Sequence, residues 1–248
     1  MNTLGPAMLQ KIRRVSHSAA SSGLRRTLAD IFIKVVIDSI GYNAERDPSF
    51  DSRHGTDTAG RIQTTELGIA DASVLETARL YLPSPPRVTR WMLENVGIAH
   101  SDFTFVDLGC GKGRVLLIAS EFEFRAIHGV DISPELCNTA RINATVYRPA
   151  SRKCRDIHVH NLDATRFDFP GGHLLIHLYH SFDVDLTVDI LRRIGDSPRS
   201  MRQLVVAYLV YSSDVPSVKR AFSKVPWMKL TRYEHSVTGQ YDWLFFSN

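Results

Sequence analysis

The sequence predicts an α/β protein built on an open, doubly wound, mostly parallel sheet. Two observations carry that expectation. From residue 103 onward, short apolar runs alternate with helical patterns, the signature of βαβ units. The runs are nearly continuously apolar, as strands covered on both faces must be.

Taken in order, residues 31–37 (IFIKVVI) read as a buried helical stretch, and residues 41–63 as a long irregular loop, polar and without periodicity. Long loops in compact domains tend to be functional or mobile. A helix opens after Ser84-Pro85-Pro86, with Ser84 as its expected cap and prolines in its first turn. Val88, Trp91, Met92 and Val96 mark one of its faces at helical spacing. Residues 103–108 (FTFVDL) form the first strong strand, followed by glycines and the helical run RVLLIASEF. Residues 125–131 give a second strand, and Ser133-Pro134-Glu135 then supplies a cap, a proline at the first helical position and an early acid. Residues 154–164 hold a third strand and 173–179 a fourth, with a helix from about 184 to 194. Residues 203–211 are a fifth strand, and a helix follows near 217–223. MKLTRYEHS and YDWLFFS close the chain as a hairpin, with Tyr241, Trp243 and Phe245 alternating at strand period toward the core. The organisation is an N-terminal extension or lid over residues 1–80 and a ligand-binding domain over 81–248.

Composition excludes several classes. The chain has 248 residues, of which 44% are hydrophobic and 23% charged, ordinary for a globular domain and unlike disordered or fibrous sequences. The longest apolar run, Leu204 to Tyr211, is eight residues, far short of the ~20 that a membrane-spanning helix needs. A net charge of +4 permits an anionic partner without requiring one. The three cysteines form no C-x-x-C pair, so neither a zinc ribbon nor a disulfide framework is expected, and a reducing, cytoplasmic setting is. The first 29 residues carry Lys11, Arg13, Arg14, Arg25 and Arg26, a cluster of serines and no acid. That is either a basic solvated helix or, in a eukaryotic cell, an organelle-targeting segment.

The informative stretch is Val106-Asp107-Leu108-Gly109-Cys110-Gly111-Lys112-Gly113-Arg114, which joins the first strong strand to its helix. Gly109 permits a tight turn, while Gly111 and Gly113 allow backbone approach to a ligand and close helix–strand packing. Asp131 follows Gly109 by 22 residues at the end of the second strand, where an acid can accept from ribose hydroxyls. The nicotinamide fingerprint wants glycine at position 114, which is arginine, and this disfavours a dehydrogenase. A carboxylate such as Asp107 just ahead of the glycines suits an amino-acid ammonium better than a pyrophosphate. S-adenosylmethionine carries that ammonium and no phosphate, so it is the expected cofactor.

With VDLGCGKGR, GVDIS, NLDATRF and LLIHLYHSFD in sequence, residues 81–248 resemble the class I S-adenosylmethionine-dependent methyltransferases. RHGTDTAGRI and YLPSPPRV are similar to segments of a bacterial group distantly related to seven-strand lysine methyltransferases. The resemblance implies a seven-stranded sheet of order 3-2-1-4-5-7-6 with the last strand antiparallel. It implies that Asp107 and Gly109 line the methionine end of the cofactor, that Cys110, Gly111 and Gly113 form the loop beneath it, and that Asp131, with Ile132 beside it, holds the ribose. It also implies that Asp163 contacts the adenine amino group with Ala164 alongside, and that Tyr81 and Ser84 close over the cofactor. The fourth-strand motif departs from the family. Relatives show an Asn-Pro-Phe-like turn where this chain has Tyr179-His180-Ser181-Phe182. His180 then becomes the expected catalytic group, as an imidazole able to accept a hydrogen bond or a proton.

The expected reaction is methyl transfer to a nitrogen, on a protein lysine or a small-molecule amine. The His180-Ser181 departure keeps two alternatives open: an O-methyltransferase acting on a small molecule, and a cofactor-binding protein without catalysis. His173, His177 and His180, and the His158-x-His160 pair, have no supporting carboxylate or cysteine spacing, so no metal is expected. The basic cluster Arg152, Lys153 and Arg155 lacks interleaved aromatics and reads as a solvated loop face rather than a nucleic-acid platform.

Overall fold

A computed structural model describes residues 48–68, 79–179, 181–196, 201–235 and 241–248. They belong to one compact unit, residues 44–248. The expected helical stretch at 31–37, the basic N-terminus and His180 lie outside the described residues.

Seven strands form one sheet of order β3-β2-β1-β4-β5-β7-β6. These are β1 (Phe103–Leu108), β2 (Ile127–Asp131), β3 (Ile157–Asn161), β4 (Gly172–Tyr179), β5 (Met201–Tyr211), β6 (Lys229–His235) and β7 (Tyr241–Ser247). The first five are parallel, while β7 runs antiparallel to both β5 and β6. That is the expected order and sense. Every residue of β1 is buried, which explains a strand without polar alternation.

On one face, Val106, Leu108, Ile176, Leu178, Val206, Tyr208, Leu244 and Phe246 pack against α5 (Val184–Gly195) and α6 (Val215–Phe222) through Val188, Leu191, Val218 and Phe222. On the other face lie α3 (Arg114–Ala119), which packs on β1 and β2, and α4 (Pro134–Val146), which packs on β2 and β3. α2 (Pro86–Asn95) packs on α3. Ser133 caps α4 as its sequence indicates, accepting from the Leu136 N–H, and Pro134 opens the helix.

Two expectations change. The N-cap of α2 is Pro85, without a side-chain cap, and Ser84 is buried in the chain ahead of it. The buried face of α2 is also rotated, to Val88, Thr89, Met92 and Leu93. The polar stretch expected as an irregular loop contains a helix, α1 (Pro48–His54), whose Phe50 is buried. What orders it is a polar network rather than an apolar stripe, so periodicity could not announce it.

Candidate active site

A cleft at the C-terminal ends of β1 to β4 is lined by Asp107, Gly109, Cys110, Asp131, Ile132, Asp163, Ala164 and Tyr179, and by Tyr81 and Ser84 from the chain ahead of α2. Residues scattered from 81 to 179 thus meet in one place. Gly111 and Gly113 are not part of the lining. Gly111 lies under the Tyr81 ring, and Gly113 sits against Ala140 of α4.

The glycine turn is fixed by the neighbouring strand end. The N–H groups of Gly109 and Cys110 both donate to the Val130 carbonyl, at 2.8 and 3.1 Å. Asp131 completes the join: one carboxylate oxygen accepts from the Gly111 N–H at 2.8 Å and the other from the Ser133 N–H at 2.9 Å. Each oxygen keeps capacity for a further donor, which suits a pair of vicinal hydroxyls. Burial pushes the Asp131 carboxyl up to about 6, opposed by those N–H groups and reinforced by the charge of Asp107. A ligand that donates hydrogen bonds to the carboxylate would relieve that penalty. Asp163 caps a single 3-10 turn, Ala164–Arg166, by accepting from the N–H and hydroxyl of Thr165 at 2.7 Å.

Gly109 has a left-handed φ of +81°, and a Cβ there would stand 2.2 Å from the Ser181 Cβ. The loop after β4 therefore rests directly on the glycine turn. Ser181 and Phe182 line the cleft beside Tyr179. Cys110 is buried, and burial first, then the charges of Asp131 and Asp107, raise its thiol well above its ordinary range. It is a small packing residue rather than a nucleophile.

Two features were not read from the sequence. The first is the His177–Asp107 pair. His177 Nδ1 lies 2.6 Å from Asp107 Oδ1, both side chains are buried, and both line the cleft. Strand register makes the pair: β1 and β4 pair from Phe103↔His173 onward, which places Asp107 directly across from His177. The second is the surrounding of Arg114, the residue that breaks the nicotinamide fingerprint. Arg114 is only 2% exposed, and its Nε donates to the Thr58 hydroxyl at 2.7 Å. Thr58 in turn donates to Asp51, which lies 3.6 Å from the guanidinium and also accepts from Thr56 and from the N–H groups of Thr58 and Ala59. Tyr81 donates to the Thr58 carbonyl at 2.7 Å, and Asn143 clasps Asp57 through its N–H and its carbonyl. Residues 50–59 therefore brace the glycine loop and the tyrosine above it.

The remaining histidines are elsewhere. His158 and His160 stack with His128 on the β2–β3 edge. Among the described residues no group of three or more His, Cys, Asp or Glu side chains is arranged to hold a metal, and no helix is long and apolar enough to cross a membrane.

Residues 99–222 match the family model described as a methyltransferase domain. A protein-lysine N-methyltransferase of Saccharolobus islandicus is 38% identical over 64 residues, which are 25% of this chain and 39% of that relative. The chain thus spans well under half the length of that curated relative. Among solved structures, a SAM-dependent methyltransferase from Aquifex aeolicus superposes with a TM-score of 0.49 at 13% identity, covering 74% of this chain and 97% of that one. A geranyl diphosphate C-methyltransferase from Streptomyces coelicolor superposes with a TM-score of 0.46 at 13% identity, covering 66% and 75%.

Proposed function

The chain belongs to the methyltransferase-domain family, with S-adenosylmethionine as methyl donor, and from that premise we propose that its acceptor is a nitrogen, on a protein lysine or a small-molecule amine. One observation carries the cofactor assignment onto these residues. Three carboxylates, Asp107, Asp131 and Asp163, face a single cleft at the strand ends, and Asp131 is held there by two backbone N–H groups with lone pairs to spare.

The bound cofactor supplies a sulfonium methyl and its own leaving group, so the protein's task is to bind, orient and desolvate. Asp131 accepts from the ribose hydroxyls, with Ile132 packed beside them. Asp163 accepts from the adenine amino group next to Ala164. Asp107 places negative charge where an ammonium belongs. Tyr81 and Ser84 cover this end of the cleft and keep water out. Cys110, Gly111 and Gly113 shape the loop below. Tyr179, Ser181 and Phe182 form the wall by which an acceptor approaches, and His180, between them in sequence, serves as the acceptor for the nucleophile's hydrogen. An acceptor that arrives as an ammonium must first lose a proton, which gives its nitrogen the lone pair for in-line displacement at the sulfonium methyl that the bound cofactor would supply.

Nitrogen acceptance is supported by the Saccharolobus relative, a protein-lysine N-methyltransferase 38% identical over its matched segment. The test has two stages. Thermal melting with S-adenosylhomocysteine and, separately, NADH should show stabilisation by the first alone. Tritiated S-adenosylmethionine added to a cell extract should then label material that yields methylated lysine or a methylated amine on hydrolysis. Label that is lost in mild base, as from an ester, would remove the nitrogen assignment.

A further inference from the structure

His177 is 1% exposed, lines the cleft, and its Nε2 is buried with no hydrogen-bond partner among the described residues. Buried polar atoms are overwhelmingly satisfied. Its other nitrogen is committed to Asp107 at 2.6 Å. The ring is held from both sides, with Phe105 stacked at 6.3 Å and Trp243 tilted at 5.8 Å between ring centroids. The imidazole is thus fixed in orientation, and the tautomer is fixed as well. A carboxylate is an acceptor only, so Nδ1 carries a hydrogen, and in the neutral ring Nε2 is then the acceptor. Both residues of the pair line the cleft.

We propose that His177 and Asp107 act together as the recognition site for the α-ammonium of the cofactor, with His177 Nε2 accepting one of its N–H bonds. The inference rests on the cofactor reading above and assigns a residue that the sequence motifs pass over. An ammonium has three donors, and a lone carboxylate already engaged by an imidazole satisfies them poorly, whereas imidazole Nε2 adds an acceptor on a rigid strand. His177 is therefore a specificity-determining residue for ligands that carry this ammonium. Of the cationic side chains in the lining, Arg114 is taken up by Thr58 and Asp51, and Arg79 is of the sign for a carboxylate. His177 Nε2 is the matching group for the amine.

The test compares three ligands by calorimetry: S-adenosylhomocysteine, its decarboxylated analogue that keeps the ammonium, and 5′-methylthioadenosine, which has neither group. His177→Asn keeps a donor toward Asp107 and removes Nε2. It should weaken the first two ligands about tenfold, the loss of one hydrogen bond to a charged group, and leave 5′-methylthioadenosine unchanged. His177→Gln, whose carbonyl reaches toward the Nε2 position, should recover most of the loss, which a merely structural role would not allow. Equal weakening of all three ligands, or no weakening, overturns the proposal. Weakening of S-adenosylhomocysteine but not of the decarboxylated analogue overturns it too, because Nε2 would then serve the carboxylate. If the asparagine variant does not fold, 15N NMR of the wild-type imidazole decides: the Nε2 resonance should move with S-adenosylhomocysteine and stay with 5′-methylthioadenosine. If wild-type protein binds none of the three, it is the cofactor reading that fails.

Discussion

Tyr81 lies directly across Gly111: a Cβ built on that glycine would stand 2.2 Å from Cε2 of the ring. The tyrosine cannot retreat freely, because its hydroxyl donates to the Thr58 carbonyl and its backbone pairs with Ile62. Gly111 also has a left-handed φ of +52°. Gly111→Ala should therefore destabilise the protein by about 2 kcal/mol or more, from backbone strain plus displacement of the ring. Adding Tyr81→Ala should return the collision part but not the strain part. A double-mutant cycle by urea denaturation measures the split, and strict additivity would mean the two residues do not meet.

Asp131 gives the site a pH dependence with a defined sign. Burial raises its carboxyl to about 6, and the ribose hydroxyls need the ionised form as acceptor. Affinity for S-adenosylhomocysteine should fall as pH drops through about 6, and binding near that pH should release a proton, seen as a buffer-dependent calorimetric enthalpy. Asp131→Asn should bind weakly at every pH with neither effect. For stability the sign is the reverse: a carboxyl raised on folding favours the folded state in acid and loses that contribution as pH rises through about 6. The melting temperature of Asp131→Asn minus that of the wild type should grow between pH 5 and pH 8.

Most of the frame was legible in the sequence because burial on both faces leaves a strong mark. The run FTFVDL is β1 residue for residue, and Ser133-Pro134 opens α4 where its chemistry says. The glycine turn and Asp131 could be joined on spacing alone, since the first βα unit is local. Three things were not legible. α1 is ordered by Asp51 hydrogen bonds rather than by a repeating apolar face. Ser84 was also expected as a helix cap, but Pro85 takes that position. His177 looked like one more strand histidine, because its carboxylate lies 70 residues earlier and only strand register brings the two together.

Arg114 and Asp51 should behave as an interdependent buried pair. Burial works against the Asp51 carboxylate, but hydrogen bonds from Thr56 and Thr58, with Arg114 adding its charge, outweigh it and hold the carboxyl below its ordinary value. Its contribution to stability is therefore present above the ordinary carboxylate range and lost only as pH falls below about 4. Arg114→Ala should destabilise by roughly 3–5 kcal/mol and shift acid unfolding to higher pH. It should also open residues 50–59 to limited proteolysis. A variant that melts like the wild type and resists protease there would show that the guanidinium does not brace the segment.

All three cysteines are buried, and burial is the largest cause raising each thiol, Cys137 to about 12. Native protein should react negligibly with Ellman's reagent at pH 8, and denatured protein should release three equivalents. Fast reaction of Cys110 in the native state would contradict its packing against β2.

The brace on the glycine loop has a consequence for how the chain comes to be folded. Thr58 meets Arg114 across 56 residues, and Asp57 meets Asn143 across 86. During synthesis, residues 50–59 emerge well before the groups that dock them, and closing such long loops is entropically slow. The brace should therefore dock late, after β1 and α4 are in place. In a pulse-labelling experiment, protection of the Asp57 amide, which is bonded to Asn143, should appear after protection of the central strands.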